Sequence, residues 1–253
     1  MRQSKLLVSI MALALLPLGS ALAASSQSIA RAIDRPDRLE GDAGSDSGRK
    51  PTEVLAFFNI EPGMTVLEMF SGGGYYSEIL SYVVGSDGTV HAHNNKPYIA
   101  YAKKSLDKRY TPGRLDNVRR FEAENNELEL AEEKFDAALM ILAYHDVYHV
   151  DEENGWFRID GPRMLAEIYG SMKSGAVLGV VDHVAEAGSP AETGQTLHRI
   201  DPQLIKKEIE AAGFVFDGEI DVLRNPGDDL TKPMYAPEVR GKTDRVVYRF
   251  RRP

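Results

Sequence analysis

The sequence predicts an α/β fold in which a mostly parallel, seven-stranded sheet carries helices on both faces. Three features of the 253-residue chain support this prediction. Short apolar segments alternate with amphipathic helices from residue 51 onward, which is typical of right-handed βαβ units. The segment 137–143 has no charged residue, as expected of a strand covered on both faces. The last two strand candidates have no helix between them, so we expect an antiparallel pair at one edge.

Each predicted element has its own local signal. A proline at the first turn predicts a helix over residues 51–58, and apolar residues three and four apart predict another over residues 75–84. Asp201 followed by proline is typical of a helix start, and Gly213 of the end of that helix. The other predicted helices cover residues 97–108 and 161–172, and the predicted strands cover residues 65–70, 89–93, 118–121, 137–143, 176–181, 214–223 and 245–250.

The N-terminus has the three parts of a secretory signal peptide, which we place at residues 1–23. Arg2 and Lys5 give a positive start, residues 6–18 form an apolar run, and Ala23 ends a small-x-small cleavage pattern. We expect cleavage after Ala23 and a periplasmic or secreted mature protein. Because the apolar run is shorter than the ~20 residues that span a bilayer, no membrane anchor is expected after cleavage.

Composition divides the rest of the chain and excludes several functions. Residues 24–50 are rich in Ser, Asp, Gly and Arg, and we interpret them as a polar leader or a lid before the α/β domain at residues 51–253. The formal net charge of −8 repels polyanions, so we expect a small-molecule substrate and no nucleic-acid partner. The absence of cysteine excludes thiol nucleophiles, Cys-ligated zinc and iron–sulfur clusters.

A run of three glycines, Gly72, Gly73 and Gly74, follows the first predicted strand of the domain and comes shortly after Glu68. Glycine permits positive φ and close approach of a ligand to the backbone. The helix that begins after Gly74 directs free backbone N–H groups toward that ligand. In a sheet of this kind, ligands bind beyond the carboxyl ends of the strands. The glycine bend is therefore a candidate nucleotide site.

The order of acid, spaced glycines and helix resembles motif I of class I S-adenosylmethionine (SAM) dependent methyltransferases. Glu68 falls at the acid, Gly72 and Gly74 fall at the second and third glycines, and Phe70 replaces the first. From about Ile29 to the C-terminus the chain is also similar to a family of exported, predicted methyltransferases. The shared motifs lie at residues 49–51, 57–58, 62–64, 72–76, 198–201, 223–226 and 240–245. The resemblance implies a Rossmann-like class I methyltransferase fold and SAM as cofactor, but no particular substrate.

The resemblance also implies a set of cofactor-binding residues: Glu68, Phe70, Gly72, Gly73, Gly74, Asn94 and Glu124. Asn94 stands at the end of the second strand, where most class I enzymes have an acid that holds both ribose hydroxyls. A neutral amide pairs with hydroxyls without the stronger charge-assisted bond. Glu124 is assigned to the adenine side. We expect the bend, free of side chains, to leave room for adenosine.

Tyr144, His145 and Asp146 follow the fourth predicted strand, a segment that the fold places beside the transferred methyl group. A free histidine has a pKa of roughly 6.5, which suits a general base, and Asp146 is placed to orient His145. The alternative is that Tyr144 and His145 only form a wall of the pocket. A further alternative uses Asp146, Asp182 and His183 as a partial metal site, although our assignment contains no metal ligand.

These features favour a SAM-dependent methyltransferase that acts on a small molecule or an envelope component outside the cytoplasm. Two alternatives stay open. One is a ligand-binding protein with a methyltransferase fold that no longer uses SAM, which the export signal, Asn94 and Phe70 favour. The other is a metal-dependent enzyme. Residues 185–197 form a long loop that we interpret as a lid, with His198 at its end.

Overall fold

The computed structural model describes residues 18–253, with side chains from residue 26 onward. Most of the predicted signal peptide, residues 1–17, lies outside the described residues. The strands are β1 (Thr65–Met69), β2 (Thr89–Asn94), β3 (Val118–Glu122), β4 (Phe135–Ile141), β5 (Met172–His183), β6 (Val215–Glu219) and β7 (Arg245–Arg251). The α-helices are α1 (Leu18–Ile33), α2 (Ala43–Arg49), α3 (Pro51–Phe57), α4 (Tyr75–Val84), α5 (Lys96–Arg109), α6 (Gly161–Ser171), α7 (Thr193–Leu197) and α8 (Pro202–Ala211). None of the described helices is long and apolar enough to cross a membrane.

One sheet joins all of these strands in the order β3-β2-β1-β4-β5-β7-β6. The first five strands pair in parallel, and β7 pairs antiparallel with both β5 and β6. Helices connect β1 to β2, β2 to β3 and β4 to β5, as right-handed βαβ units require, whereas no helix lies between β3 and β4. The predicted fold class and its antiparallel C-terminal pair are confirmed, with β7 inserted between β5 and β6.

Two apolar layers pack on the two faces of the sheet. In β4, Ala138 and Met140 belong to one layer, whereas Ala137 and Leu139 belong to the other. This alternation follows from the period of two in a strand. All four side chains are at most 1% exposed, which explains why the segment carries no charge.

The leader, residues 24–50, packs on the domain. It contributes most of α1 and all of α2, and Ile29 and Ala32 are buried in the same apolar layer as α3 and α4. The predicted cleavage site after Ala23 falls within α1. Sequence periodicity did not indicate this packing because the buried face of α1 contains few apolar residues. Arg38 fixes the rest of the leader through a bidentate contact with Asp46 at 2.7 and 2.8 Å.

Three elements differ locally from their predicted bounds. β5 begins at Met172, directly after the end of α6 at Ser171, and not at residue 176 as predicted. β6 covers only part of the predicted strand 214–223, where a register shift beside Gly218 interrupts its pairing with β7. The expected lid loop, 185–197, ends in the short helix α7.

The parallel strands place four chain segments at one edge of the sheet. β1 ends at Met69, β2 at Asn94, β4 at Ile141 and β5 at His183. These carboxyl ends lie next to one another because the strands pair in parallel. The glycine bend and the His145 segment therefore lie at the same edge, where α/β sheets of this kind bind ligands.

Candidate functional site

The bend after β1 has an unusual backbone. Gly72 and Gly74 adopt φ of 57° and 81°, values that glycine tolerates without cost. Phe70 has φ of 52° although it carries a bulky side chain, which strains the backbone by about 1–2 kcal/mol. The position where motif I normally has its first glycine thus keeps the glycine conformation. Phe70 is only 4% exposed, so packing of its ring compensates for the strain.

The polar side chains assigned to the bend are largely bound by the chain itself. Asn94 accepts from the backbone N–H of Gly72 at 2.8 Å and donates to the carbonyl of Gly72 at 3.0 Å. The carboxyl of Glu68 accepts from Ser77 in α4 at 2.5 Å, and burial raises its pKa to about 7. Ser71 is the exception, because its buried hydroxyl has no hydrogen-bond partner in the described part of the chain.

Helix α5 covers the bend. A Cβ atom added at Gly73 would lie 2.9 Å from Cβ of Ser105, and one at Gly74 would lie 2.7 Å from Cδ of Arg109. Arg109 also donates from Nε to the carbonyl of Gly73 at 2.6 Å. The crevice beside Ser71 and Asn94 is too narrow for a water molecule. Side chains of α5 therefore occupy the open space that we expected above Gly73 and Gly74.

Tyr98, from the first turns of α5, fills the space between the bend and the end of β4. Its Cε1 atom lies 3.9 Å from where a Cβ of Gly72 would be, and its ring is 5.5 Å from the ring of Phe70. Its hydroxyl donates to Oδ2 of Asp146. Trp156 packs on the other side, with ring centroids 5.3 Å apart. Sequence reasoning missed Tyr98, although an aromatic residue four positions after Asn94 was a usable signal.

His145 lies in a 3₁₀ turn, Tyr144–Tyr148, that follows β4, and Asp182 in β5 orients it. Nδ1 of His145 is 2.7 Å from one Asp182 carboxylate oxygen, and the backbone N–H of His145 donates to the other at 2.8 Å. The orienting acid is therefore Asp182, whereas Asp146 lies on the opposite side of the ring, 3.4 Å from Nε2. His145 and Asp182 are 1% and 0% exposed.

The charges around His145 decide its protonation. Burial disfavours the imidazolium, but the negative charges of Asp182 and Asp146 outweigh burial and raise the pKa of His145 to about 9. Burial would raise the pKa of Asp146, but His145, His198 and Tyr98 stabilise the carboxylate and lower the pKa of Asp146. The two carboxylates therefore favour the protonated form of His145. A general-base role near neutrality, which the free-histidine pKa suggested, does not follow from this geometry.

Two further histidines complete the cluster. Nδ1 of His198 lies 3.4 Å from Oδ1 of Asp146, and the His198 and His145 rings are 5.3 Å apart. His198 has φ of 50°, another strained position. The ring of His149 is 5.2 Å from that of His198, and the buried Nδ1 of His149 has no hydrogen-bond partner among the described residues. The sequence placed His198 at the end of the expected lid loop, and the structure brings its ring to Asp146.

Other candidate residues lie apart from this cluster. The hydroxyl of Tyr144 donates to Glu208 in α8 at 2.7 Å, so it points away from Asp146. Glu124 lies 3.9 Å from the Lys96 ammonium at the start of α5 and stays a predicted adenine-side residue. The alternative metal set of Asp146, Asp182 and His183 is not brought together. Asp182 binds His145, and Nδ1 of His183 lies 2.7 Å from the Thr243 hydroxyl.

Comparison with known proteins gives the fold class. No protein-family model matches the sequence, and no curated protein matches it. A SAM-dependent methyltransferase from Aquifex aeolicus has a similar structure, with a TM-score of 0.57, 23% identity, and coverage of 89% of this chain and 97% of that chain. Phosphoethanolamine N-methyltransferase 2 from Haemonchus contortus, in complex with SAM, is similar with a TM-score of 0.54 and 13% identity. The match covers 89% of this chain and 60% of that chain. A [4+2]-cyclase is similar with a TM-score of 0.52 and 16% identity, and the match covers 87% of this chain and 86% of that chain.

The chain therefore has the Rossmann-like methyltransferase fold. At these identities the likeness defines the architecture, and the reaction has to be argued from the site itself.

Proposed function

We propose that the protein is a SAM-dependent methyltransferase that acts on a small molecule or an envelope component outside the cytoplasm. The observation that carries the proposal is the bend after β1. Gly72 and Gly74 adopt left-handed φ values, and the Ser71 hydroxyl is buried without a partner among the described residues. A buried hydroxyl without a partner is costly, and a polar ligand group at the bend would satisfy it. The proposed location outside the cytoplasm rests on the predicted signal peptide alone.

The residues of the bend fit one end of SAM better than the other. The Ser71 hydroxyl would hold its polar methionine end, with α4 contributing its N-terminus. Both side-chain hydrogen bonds of Asn94 go to the backbone of Gly72, so Asn94 would maintain the shape of the bend rather than bind the ribose. SAM, when bound, would supply an electrophilic methyl group. The protein would contribute mainly by positioning the acceptor in line with that group.

Binding requires Tyr98 to move, because it lies between Gly72 and Asp146. Tyr98 is partly exposed, and its partner Trp156 belongs to a mostly exposed segment, residues 151–158. Rotation of the Tyr98 ring outward would join the bend to the His145 cluster in one continuous site. We interpret residues 151–158, rather than the predicted lid 185–197, as the lid, because Trp156 packs on the Tyr98 ring.

Calorimetry with SAM and its demethylated product tests the proposal. We expect saturable binding to the purified protein, and a loss of at least about tenfold in affinity, or 1.4 kcal/mol, in Gly72→Val. Gly175→Val is the matched control: Gly175 also has positive φ, with nothing within 4 Å of an added Cβ, but it lies at the opposite end of β5. The control should keep the wild-type affinity. Absence of binding at millimolar SAM would refute the proposal.

A second pair of variants tests the position of Tyr98. Tyr98→Ala should strengthen SAM binding about three- to tenfold, because the competent conformation no longer has to displace the ring. Tyr101→Ala, on the same helix at a side chain that is 88% exposed, should leave the affinity unchanged. Equal affinities of both variants would show that Tyr98 does not occupy the SAM site.

The covered bend also favours a second candidate, a methyltransferase-fold protein that binds another ligand. Side chains of α5 fill the space above Gly73 and Gly74, and Asn94 uses its amide on Gly72. The [4+2]-cyclase among the structural neighbours carries a different reaction name on the same architecture. Native mass spectrometry of the purified protein would support this candidate by showing a retained ligand while calorimetry detects no SAM binding.

A further inference from the structure

The side chains beyond β4 and β5 are arranged like metal ligands, and we infer that they bind one divalent transition-metal ion. His145, Asp146 and His198 each offer one donor atom, and these three atoms lie within 4.8 Å of one another. The short contacts join Oδ1 of Asp146 to Nε2 of His145 and to Nδ1 of His198. This site goes beyond the proposed methyl transfer and does not depend on SAM binding.

The distances between the donor atoms favour an ion over direct hydrogen bonds. Oδ1 of Asp146 is 3.4 Å from Nε2 of His145 and 3.4 Å from Nδ1 of His198. Charge-assisted hydrogen bonds are shorter, about 2.7–2.9 Å. Ligands at roughly 2.0–2.1 Å from a tetrahedral Zn²⁺ are separated by about 3.3–3.4 Å. One oxygen at this distance from two imidazole nitrogens is therefore spaced as two edges of a tetrahedron.

The neighbouring residues orient these donors. Asp182 binds Nδ1 of His145 at 2.7 Å, which turns Nε2 toward Asp146. Tyr98 donates to Oδ2 of Asp146, which leaves Oδ1 for the two histidines. Metal-binding histidines commonly use their second nitrogen on a carboxylate in this way, which fixes the ring and its tautomer. Asp182 is thus a positioning residue, and Tyr98 connects the metal site to the bend.

His149 packs beside these donors without joining them. Its ring lies 5.2 Å from the ring of His198, and its buried Nδ1 has no partner among the described residues. The group of donor atoms that all lie within 4.8 Å of one another contains His145, Asp146 and His198 but not His149. The described chain therefore offers three ligands, and the fourth position of a tetrahedral ion would be open to water.

Charge and ligand type define the ion. Asp146 and Asp182 place two carboxylates in a buried site, and neither contacts a Lys or Arg side chain among the described residues. A divalent cation with neutral imidazoles would balance both. Imidazole nitrogens suit Zn²⁺ and its transition-metal neighbours, whereas Mg²⁺ prefers an all-oxygen shell with several waters. The site therefore selects Zn²⁺-like ions over Mg²⁺.

Metal titration of the purified full-length protein tests the inference. The protein is treated with a chelator, dialysed, and titrated with Zn²⁺ alone or Mg²⁺ alone, and bound metal is quantified by mass spectrometry. We expect one Zn²⁺ per chain and no stoichiometric Mg²⁺. His198→Asn should weaken Zn²⁺ binding on the order of 100-fold or more. Removing a residue that only hydrogen-bonds a metal ligand usually weakens metal affinity about 10–100-fold, and removing a ligand itself should weaken it more. Asparagine tolerates the left-handed backbone at this position, so the variant should fold.

Two further variants separate the site from general histidine binding. Asp182→Asn, which keeps the size of the side chain, should weaken Zn²⁺ binding about 10–100-fold. His91→Gln, a histidine on β2 outside the cluster, should bind as the wild type does. The melting temperature of each metal-free variant confirms that it is folded.

The inference is overturned if the wild type holds no stoichiometric Zn²⁺, or if folded His198→Asn binds it with undiminished affinity. Binding of several Zn²⁺ ions that no cluster variant changes would equally overturn it, as adventitious surface binding. SAM titrations are carried out on chelator-treated protein. Failure of the metal site is therefore distinguishable from failure of the methyltransferase proposal.

Discussion

The glycine bend and the histidine cluster lie at the same edge of the sheet, yet they treat their polar groups in opposite ways. At the bend, Asn94 and Glu68 are bound by the chain itself, and α5 covers the backbone. In the cluster, donor atoms of His145, Asp146 and His198 face one another at 3.4 Å or more. The first region is closed by its own contacts, whereas the second has donors available to a ligand.

The presence of a glycine motif and the access of a ligand to it are therefore separate properties. The motif locates the bend, but the side chains that pack on it decide whether a ligand enters. Tyr98 connects both regions, because its ring covers Gly72 and its hydroxyl binds Asp146. Variants on the bend side should therefore change stability and access to SAM while leaving the metal ligands in place.

The largest effect is expected when the support of the bend is removed. Arg109 is 2% exposed and binds Gly73, Glu78 and Asp42. Arg109→Met keeps the aliphatic volume but leaves buried acceptors without that partner, so the free energy of unfolding should fall by about 3–5 kcal/mol. Urea denaturation measures this change. Arg119→Met, at an exposed arginine, should change stability by less than about 0.5 kcal/mol, and an equally small loss for Arg109→Met would show that the bend is not held from α5.

The next effect depends on pH and concerns Glu68 beneath the bend. Burial raises its pKa from 4.5 to about 7, so ionisation opposes folding: the cost is absent below pH 4.5, grows between pH 4.5 and 7, and is complete above pH 7. Glu68→Gln removes the cost and should stabilise the protein above pH 7 by roughly 2–4 kcal/mol, with little gain at pH 4.5. Melting curves across this range check it, with Glu132→Gln as the exposed control. A gain independent of pH would contradict the assignment.

The smallest effect tests the strain at Phe70. Phe70→Gly and Phe70→Ala both lose ring packing, but only glycine relieves φ of 52°. The glycine variant should therefore be the more stable of the two by about 0.5–1 kcal/mol, which reverses the usual order. The same pair of substitutions at Phe157, which is 60% exposed and has no positive φ, should leave alanine at least as stable as glycine. If Phe70→Ala proved more stable than Phe70→Gly, the backbone at position 70 would not be strained.

The sequence predicted the architecture well because the signals of the fold are local. Apolar periodicity, a proline at the first helical turn and the glycine run after β1 each depend on neighbouring residues. The antiparallel pair at the end follows from the same pattern, whereas the insertion of β7 between β5 and β6 was not predicted. Segments whose structure depends on distant packing also differ, such as α1, where Ile29 is buried in the same apolar layer as α3 and α4.

The site was only partly predictable because its geometry depends on contacts between distant segments. Proximity in sequence suggested that Asp146 orients His145, but the parallel pairing of β4 and β5 brings Asp182 there instead. The position of Tyr144 in the sequence suggested a catalytic role, whereas its hydroxyl donates a hydrogen bond to Glu208 in α8. The convergence of His198 on Asp146 joins residues 52 positions apart, which no local pattern encodes.

The most direct test of the contrast between the two regions is an anomalous diffraction map at the zinc absorption edge, from crystals of the protein grown with Zn²⁺. We expect one strong anomalous peak between Nε2 of His145, Oδ1 of Asp146 and Nδ1 of His198, and no peak at the glycine bend. A map without a peak at the cluster, or with zinc only on surface side chains, would contradict it.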